Sequence, residues 1–174
     1  MNLGYHSPLP PAPTGVADYA RDLLQALQTV AATQRGTVSI APRAADVHLC
    51  QLGNNLLHAP IQRVLEGPDW PGRKVVLLHD ANLHHYYLGA RNREGYVREF
   101  CHQYGAWHRG FAEQLWQERA RSASDPRYFR YSMLASVVRA ADLVLVHNPE
   151  ARRRVLAQVP EARVACVPHY FRNP

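Results

Sequence analysis

Short apolar runs alternate along this chain with segments in which apolar residues recur at helical spacing. The runs over residues 74–79 and 143–147 are almost continuously apolar, which is typical of strands covered on both faces. Four shorter runs have a similar pattern. The predicted strands are residues 1–6, 37–41, 46–52, 74–79, 143–147 and 163–167.

The clearest predicted helix follows a proline-rich loop near the start of the chain. Apolar residues recur at helical spacing over residues 16–31 and predict an amphipathic helix of about 18 residues. Thr14 or Gly15 caps its start, Asp18 suits the positive end of the helix dipole, and Gly36 ends it. Further helices are predicted over residues 58–66, within 81–139 with a break at 122–126, and over 150–159.

The alternation of strands and helices predicts an α/β fold, with a Rossmann-like parallel sheet that carries helices on both faces. In such sheets, ligands bind outside the carboxyl ends of the strands. The 174 residues suit one domain of ordinary size. We find neither a secretory signal pattern nor an apolar run approaching the ~20 residues of a transmembrane helix, so a cytoplasmic location is expected.

The net charge and the distribution of the arginines limit the classes of partner that we expect. The net charge is +6, from nineteen arginines and the single lysine Lys74. The arginines are dispersed, which argues against a nucleic-acid partner. Nine lie from Arg91 to Arg139 among glutamates, and form either solvated helix faces with internal ion pairs or a surface for phosphate or anionic lipid.

The cysteines give no indication of a disulfide framework. Cys50, Cys101 and Cys166 are odd in number, and no two have the spacing C-x-x-C. We therefore expect reduced, buried thiols in a cytosolic protein.

Histidines follow several of the predicted strands. His6, His79, His147 and His169 come directly after a strand or one residue later, and the turn Gly53-Asn54 has a similar place. Because the carboxyl ends of parallel strands meet at one edge, we expect these side chains to gather there. The alternative is that each is an ordinary hydrogen-bonding loop residue.

Common cofactor and nucleophile motifs are absent. The chain has no G-x-G-x-x-G, Walker-type phosphate loop, H-E-x-x-H, G-x-S-x-G or Asp-x-Asp, so no cofactor is expected. His79, Asp80, His84 and His85 leave a metal-dependent hydrolase open as an alternative, although their spacing matches no standard metal site. We therefore expect no metal.

Two segments have residues suited to binding a phosphorylated ligand and its hydroxyls. Thr14-Gly15 opens a helix whose first N–H groups form an anion site suited to a diphosphate, or simply an ordinary capped start. His79 is placed to hydrogen-bond a hydroxyl or to stabilise a developing charge. Asp80 either accepts hydrogen bonds from sugar hydroxyls or caps a helix beginning near Ala81.

These residues lie in segments that resemble those of a known protein family. Residues 5–11 (YHSPLPP) followed by 14–19 (TGVADY) resemble the opening of family 4 (group 1) retaining glycosyltransferases. That opening has a proline loop, a Ser/Thr-Gly pair and Ile/Val-Ala-Asp-Tyr. Later segments resemble the family in order: 51–55 (QLGNN) with His58, 75–85 (VVLLHDANLHH), 145–148 (LVHN) with Arg152, and 167–169 (VPH).

The resemblance implies the two-domain GT-B architecture. Residues 1–168 would be the N-terminal, acceptor-side domain and residues 169–174 the start of the interdomain linker, with the C-terminal donor domain missing. The family's donor domain carries E-x7-E, and no two glutamates here are eight apart. The chain departs from the family pattern at Tyr170, where the family has glycine.

The resemblance also assigns roles by position. His79 would be the catalytic-cleft residue that contacts the transferred sugar or the acceptor, and Gly15 would face the donor diphosphate. The other expected substrate-binding residues are Thr14, Asp18, Asp80, His84 and His147. The chemistry needs no metal, because the leaving diphosphate assists the incoming hydroxyl.

The expected partners are a nucleotide-sugar donor, held together with the missing domain, and an acceptor sugar or glycolipid. The isolated chain is expected to be inactive. The basic region 91–139 would line the acceptor entrance, with possible contact at the inner face of the membrane. The alternative is a stand-alone, non-catalytic module that binds carbohydrate or phosphate; a following domain with E-x7-E would favour the enzyme.

Overall fold

The computed structural model describes residues 1–170 and contains a six-stranded, entirely parallel sheet with the strand order β2-β1-β3-β4-β5-β6. Every strand end lies within one residue of its sequence-based prediction. The strands are β1 (Asn2–His6), β2 (Thr37–Ile40), β3 (Val47–Leu52), β4 (Arg73–Leu78), β5 (Leu143–Val146) and β6 (Val164–Cys166).

Eight α-helices are present in residues 1–170, with short 3₁₀ turns at Leu56–His58, Ala106–His108 and Arg119–Arg121. Thr14 caps the first helix as predicted, with its Oγ1 accepting from the Val16 N–H at 3.4 Å. The helices are α1 (Gly15–Thr33), α2 (Ala59–Glu66), α3 (His84–Ala90), α4 (Arg93–Tyr104), α5 (Arg109–Glu118), α6 (Pro126–Arg130), α7 (Ala135–Arg139) and α8 (Pro149–Gln158).

Helices cover both faces of the sheet, which confirms the predicted Rossmann-like α/β class. The chain steps from β1 to β2 in one direction and from β3 to β6 in the other. Because such crossovers are right-handed, the reversal puts α1 on one face and the later helices on the other. The core is divided accordingly: Tyr5, Leu49 and Leu77 pack with α1, whereas a larger cluster on the opposite face includes residues of α2–α5, α7 and α8.

The strand register brings particular residues together at the carboxyl edge. Leu52 pairs with Leu78, and Leu78 pairs with Val146. The His79 N–H continues this ladder by donating to the Leu52 carbonyl at 2.8 Å. The residues that directly follow β4 and β5, His79 and His147, therefore lie side by side.

Three further predictions from the sequence concern membrane-spanning helices, the cysteines and the linker. None of the helices within residues 1–170 has the length and apolarity needed to cross a bilayer. The three cysteines are free thiols, but buried thiols were expected and Cys166 is exposed, because it lies on the edge strand β6. Of the proposed linker 169–174, residues 171–174 lie outside the part of the chain that is described.

Candidate functional site

Three histidines converge at the carboxyl edge of the sheet. His79 follows β4, His147 follows β5, and His169 comes three residues after β6. Their ring centroids are 5.0 Å apart for His79–His147 and 4.8 Å apart for His147–His169. One ring nitrogen from each lies within 4.8 Å of the other two. We call His79, His147 and His169 the histidine cluster.

A buried polar chain fixes the ring of His79. The Tyr5 hydroxyl donates to the Ala20 carbonyl of α1 at 2.6 Å, so it must accept from the Gln51 amide nitrogen, its other close partner. That interaction turns Gln51 Oε1 toward His79 Nε2, 2.8 Å away. Because an amide oxygen accepts, His79 carries its proton on Nε2 and its lone pair on Nδ1.

His147 is held in a similar way. Its Nδ1 lies 3.0 Å from the carbonyl oxygen of Val167, which can only accept, so the proton is on Nδ1. The Nε2 atom of His147 then faces Nδ1 of His79 at 3.3 Å. The hydrogen-bond partners thus place two imidazole lone pairs opposite each other.

Both rings are neutral at physiological pH. Burial, and secondarily the neighbouring His147, lower the pKa of His79 to about 3. Burial also lowers the pKa of His147. A neutral ring with its lone pair on Nδ1 accepts a hydrogen bond, which favours a role in holding a hydroxyl over a role as a positive charge.

Tyr19 joins the first turns of α1 to the histidine cluster. Its ring meets His79 edge-on at 4.9 Å between centroids and lies 4.6 Å from the ring of His169. Tyr19 comes four residues after Gly15, so the two positions share one face of α1. The start of α1 and His79 therefore lie on the same side of the sheet.

Gly15 has space around it that no part of the described chain fills. A Cβ added there would meet no atom within 4 Å, and Gly15 is exposed. Thr14 lies beside it at the helix cap. Asp18 is directed to solvent, with its side chain 72% exposed and paired with Arg21 at 3.0 Å. The Val16 N–H donates to Thr14 Oγ1 and the Ala17 N–H donates to the Thr14 carbonyl at 3.0 Å, so Gly15 is the exposed part of the backbone at this helix start.

Asp80 holds the loop that follows β3. Its Oδ2 accepts from the Asn54 N–H at 2.9 Å. The suggestion that Asp80 caps a helix near Ala81 is wrong, since α3 begins at His84 with Leu83 in the cap position. Asp80 is exposed, so its carboxylate remains accessible at the edge of the sheet.

A buried histidine lies beneath this loop. The His58 ring is fully buried, and its Nε2 has no hydrogen-bond partner within residues 1–170. A Cβ on Gly53 would come within 2.9 Å of that nitrogen. Glycine is therefore required at this position by close packing.

His84 does not line the site, which corrects the expectation from the sequence. It is fully buried, its Nδ1 lies 2.6 Å from the Tyr131 carbonyl oxygen, and its Nε2 lies 2.7 Å from the Tyr96 hydroxyl. The adjacent His85 has its Nε2 3.1 Å from the Ser122 carbonyl oxygen. The quartet proposed for a metal-dependent hydrolase is thus not assembled, because His84 and His85 are engaged elsewhere.

His6 also lies apart from the histidine cluster, although it follows β1. Side chains alternate along a strand, and Tyr5 faces α1, so His6 faces the opposite side. There its Nε2 lies 2.9 Å from His48 Nδ1, and its ring meets Trp70 edge-on. His6 borders a cavity of about 750 Å³ with a mainly apolar lining that includes Ile40, Leu57, Ile61, Val64 and Trp70.

Two residues of the site had no assigned role in the sequence-based prediction. Gln51 lies in a segment that resembles the glycosyltransferases, and Tyr19 ends another. A glutamine within a mainly apolar strand indicates a buried hydrogen-bond partner, and the four-residue spacing from Gly15 places Tyr19 on the same helix face. Both signals were present in the sequence.

Several arginines of region 91–139 form the ion pairs expected of a solvated surface. Arg127 pairs with Glu118 and Asp125. Arg109 pairs with Glu113 at 3.9 Å. These contacts account for part of the positive charge in this region.

No protein-family model matches this chain, and no curated protein or solved structure matches it either.

Proposed function

We propose that this chain is the N-terminal, acceptor-side domain of a retaining glycosyltransferase, which transfers a sugar from a nucleotide-sugar to an acceptor hydroxyl. The observation that carries the proposal is the placement of Gly15 and His79 on one side of the sheet, linked by Tyr19. This placement would bring an anion site and a hydroxyl acceptor together. The ordered segment resemblance to family 4 glycosyltransferases supports the same function.

The diphosphate of the donor would bind at the start of α1. Backbone N–H groups and the positive end of the helix dipole favour a negative charge there. The open space at Gly15 permits a phosphate oxygen to approach the backbone closely. Thr14 adds a hydroxyl beside it.

His79 would orient the reacting hydroxyl or a hydroxyl of the transferred sugar. Its Nδ1 lone pair accepts a hydrogen bond, while Gln51 holds the ring by its other nitrogen. Gln51 and Tyr5 are positioning residues in this mechanism. The leaving diphosphate would assist the incoming hydroxyl, so the domain contributes orientation and hydrogen bonds.

The apolar cavity beside His6 fits a lipid-linked acceptor. It opens at the same carboxyl edge of the sheet and is lined by side chains that suit a hydrocarbon group, such as Leu57 and Trp70. We propose an acceptor sugar or glycolipid as the partner. Exposed Trp107 and Phe129 are candidates for peripheral contact with the membrane that carries it.

The proposal is tested by sugar transfer with the complete enzyme, which is this domain together with a donor domain. His79→Ala should lower kcat/KM by about 2–4 kcal/mol of transition-state stabilisation, since it removes a preorganised contact. His102→Ala is the matched control, because His102 is exposed on α4. An unchanged rate in His79→Ala would remove His79 from the mechanism, and robust turnover by residues 1–174 alone would contradict the assignment as half of an enzyme.

A further inference from the structure

The contact between His79 and His147 is not an ordinary hydrogen bond. Gln51 and Val167 each accept from one ring, which leaves unprotonated nitrogens facing each other at 3.3 Å. Two imidazole lone pairs at this distance repel each other in the absence of a cation between or beside them. The arrangement is that of two ligands for a positive ion.

His169 completes the arrangement. Its Nδ1 lies 3.0 Å from the carbonyl oxygen of Tyr170, so the proton is on Nδ1 and the lone pair is on Nε2. The cluster places one ring nitrogen of each histidine within 4.8 Å of the others. All three rings thus direct one N–H to a carbonyl oxygen, which is the outer-sphere pattern of metal-binding histidines.

We propose that His79, His147 and His169 form a binding site for one divalent transition-metal ion of the zinc class. Three neutral imidazoles with no carboxylate suit Zn²⁺, Cu²⁺ or Ni²⁺ and disfavour Mg²⁺ and Ca²⁺, which prefer oxygen ligands. A tetrahedral ion with Zn–N bonds of 2.0–2.1 Å separates its ligand nitrogens by roughly 3.3–3.4 Å. The His79–His147 pair already has this separation.

The segment that carries His169 is anchored on both sides of it. The Val167 N–H donates to the Val146 carbonyl at 2.8 Å. On the other side, the Tyr170 ring stacks on Tyr19 at 5.0 Å between centroids, and its hydroxyl donates to the Tyr19 carbonyl at 3.2 Å.

A bound ion would tie the end of the sheet to the segment beyond it. His79 and His147 come from adjacent strands, whereas His169 lies beyond β6. Coordination therefore clamps residues 167–170 over the carboxyl edge beside Tyr19. Three protein ligands leave the fourth tetrahedral position for water or another small ligand. A bound ion would take the Nδ1 lone pair of His79 that the proposed function gives to a hydroxyl, so that hydroxyl would then meet the open position of the ion. The binding test itself uses this chain alone and does not depend on the proposed function.

The test is titration of the full chain with ZnCl₂ by calorimetry, using protein purified without a histidine tag and stripped with chelator. We expect one ion per chain with a dissociation constant in the micromolar range or tighter. His147→Gln and His169→Gln should each weaken binding at least tenfold. His102→Gln, an exposed histidine on α4, should leave it unchanged. Absence of stoichiometric binding, or equal loss in all three variants, would overturn the proposal.

Two further measurements separate coordination from unfolding of a variant. With chelator present, the variants should match the wild-type circular dichroism spectrum, and Zn²⁺ should raise the Tm of the wild type but not of His147→Gln or His169→Gln. In the unmutated chain, Zn²⁺ should shift the imidazole nitrogen resonances of His79, His147 and His169. Shifts confined to other histidines would overturn the assignment.

Discussion

Gly15 occupies the first position of α1, and the fold gives no reason for a glycine there. A Cβ would meet nothing within 4 Å, and alanine has a higher helix propensity. By contrast, the close approach of His58 requires Gly53. A glycine that packing does not require is best explained by a ligand that approaches its backbone.

Gly15→Ala therefore separates a structural role from a binding role. We expect the free energy of unfolding to stay unchanged or rise by about 0.4–1 kcal/mol, because alanine restricts the unfolded chain. In the proposed enzyme, the KM for the nucleotide-sugar should rise about tenfold, because the methyl group would block the diphosphate. Urea unfolding and donor-dependent kinetics measure the two effects.

Gly110→Ala is the matched control, because a Cβ on Gly110 in α5 would also meet nothing within 4 Å. It should give the same small stability change and leave the KM unaltered. A Gly15→Ala enzyme with unaltered donor kinetics would show that the start of α1 does not bind the diphosphate.

For individual residues, it was easier to predict from the sequence which residues are neighbours than to predict where each side chain points. His79 and His147 each follow a continuous apolar strand, so a parallel register alone places them together. Neighbouring positions of α3 point in different directions, so the pair His84-His85 did not reveal that His84 is buried. The role of Gln51 depends on Tyr5, a residue far away in the sequence.

Among the elements, the strands were predicted closely, whereas the helices of residues 81–139 were divided only at 122–126, a break that lies between the turn Arg119–Arg121 and the start of α6 in the structure. Strand ends are marked by the limits of apolar runs. Several helix starts in this region lack a local cap: the first N–H groups of α7 instead donate to distant glutamines, Ala135 to Gln103 at 3.0 Å and Leu134 to Gln158 at 2.8 Å. Caps supplied from other elements leave no local signature in the sequence.

The turn between α4 and α5 exposes a tryptophan that we expect to contact a membrane. Trp107 is 82% exposed, and the ring of Trp107 lies over Gly105, whose φ of 101° favours glycine. The side chain of the nearby Arg109 is 68% exposed. An exposed indole beside a cation suits a membrane interface with anionic lipid.

Co-sedimentation with vesicles tests this surface. The chain should bind vesicles containing phosphatidylserine at low salt, bind less at high salt, and bind phosphatidylcholine vesicles poorly. Trp107→Ala should reduce binding several-fold. Val30→Ala on α1, which removes another exposed apolar side chain, is the control. Equal binding by Trp107→Ala and the wild type would exclude this turn as the contact.

In the molecule as a whole, the sheet separates the histidine cluster from two buried histidines, and the buried pair affects how stability depends on pH. The histidine cluster lies at the open carboxyl edge. His6 and His84 are buried, with exposed fractions of 3% and 0%. The pKa of each is lowered to about 4, mainly by burial and, at His6, also by the neighbouring His48.

The whole molecule should therefore lose stability in mild acid. Between the unfolded pKa of about 6.5 and the folded values near 4, the unfolded chain takes up protons that folded His6 and His84 do not. The free energy of unfolding is thus highest above pH 6.5. It should fall by up to about 1.4 kcal/mol per pH unit for each ring as the pH drops toward 4. Urea unfolding from pH 7.5 to 4.5, with chelator present to exclude metal effects, measures this slope.

Proton NMR of the folded chain supplies the independent check. Imidazole resonances of His6 or His84 that titrate near pH 6.5 would contradict the prediction, because those rings would then gain protons as readily as the unfolded chain.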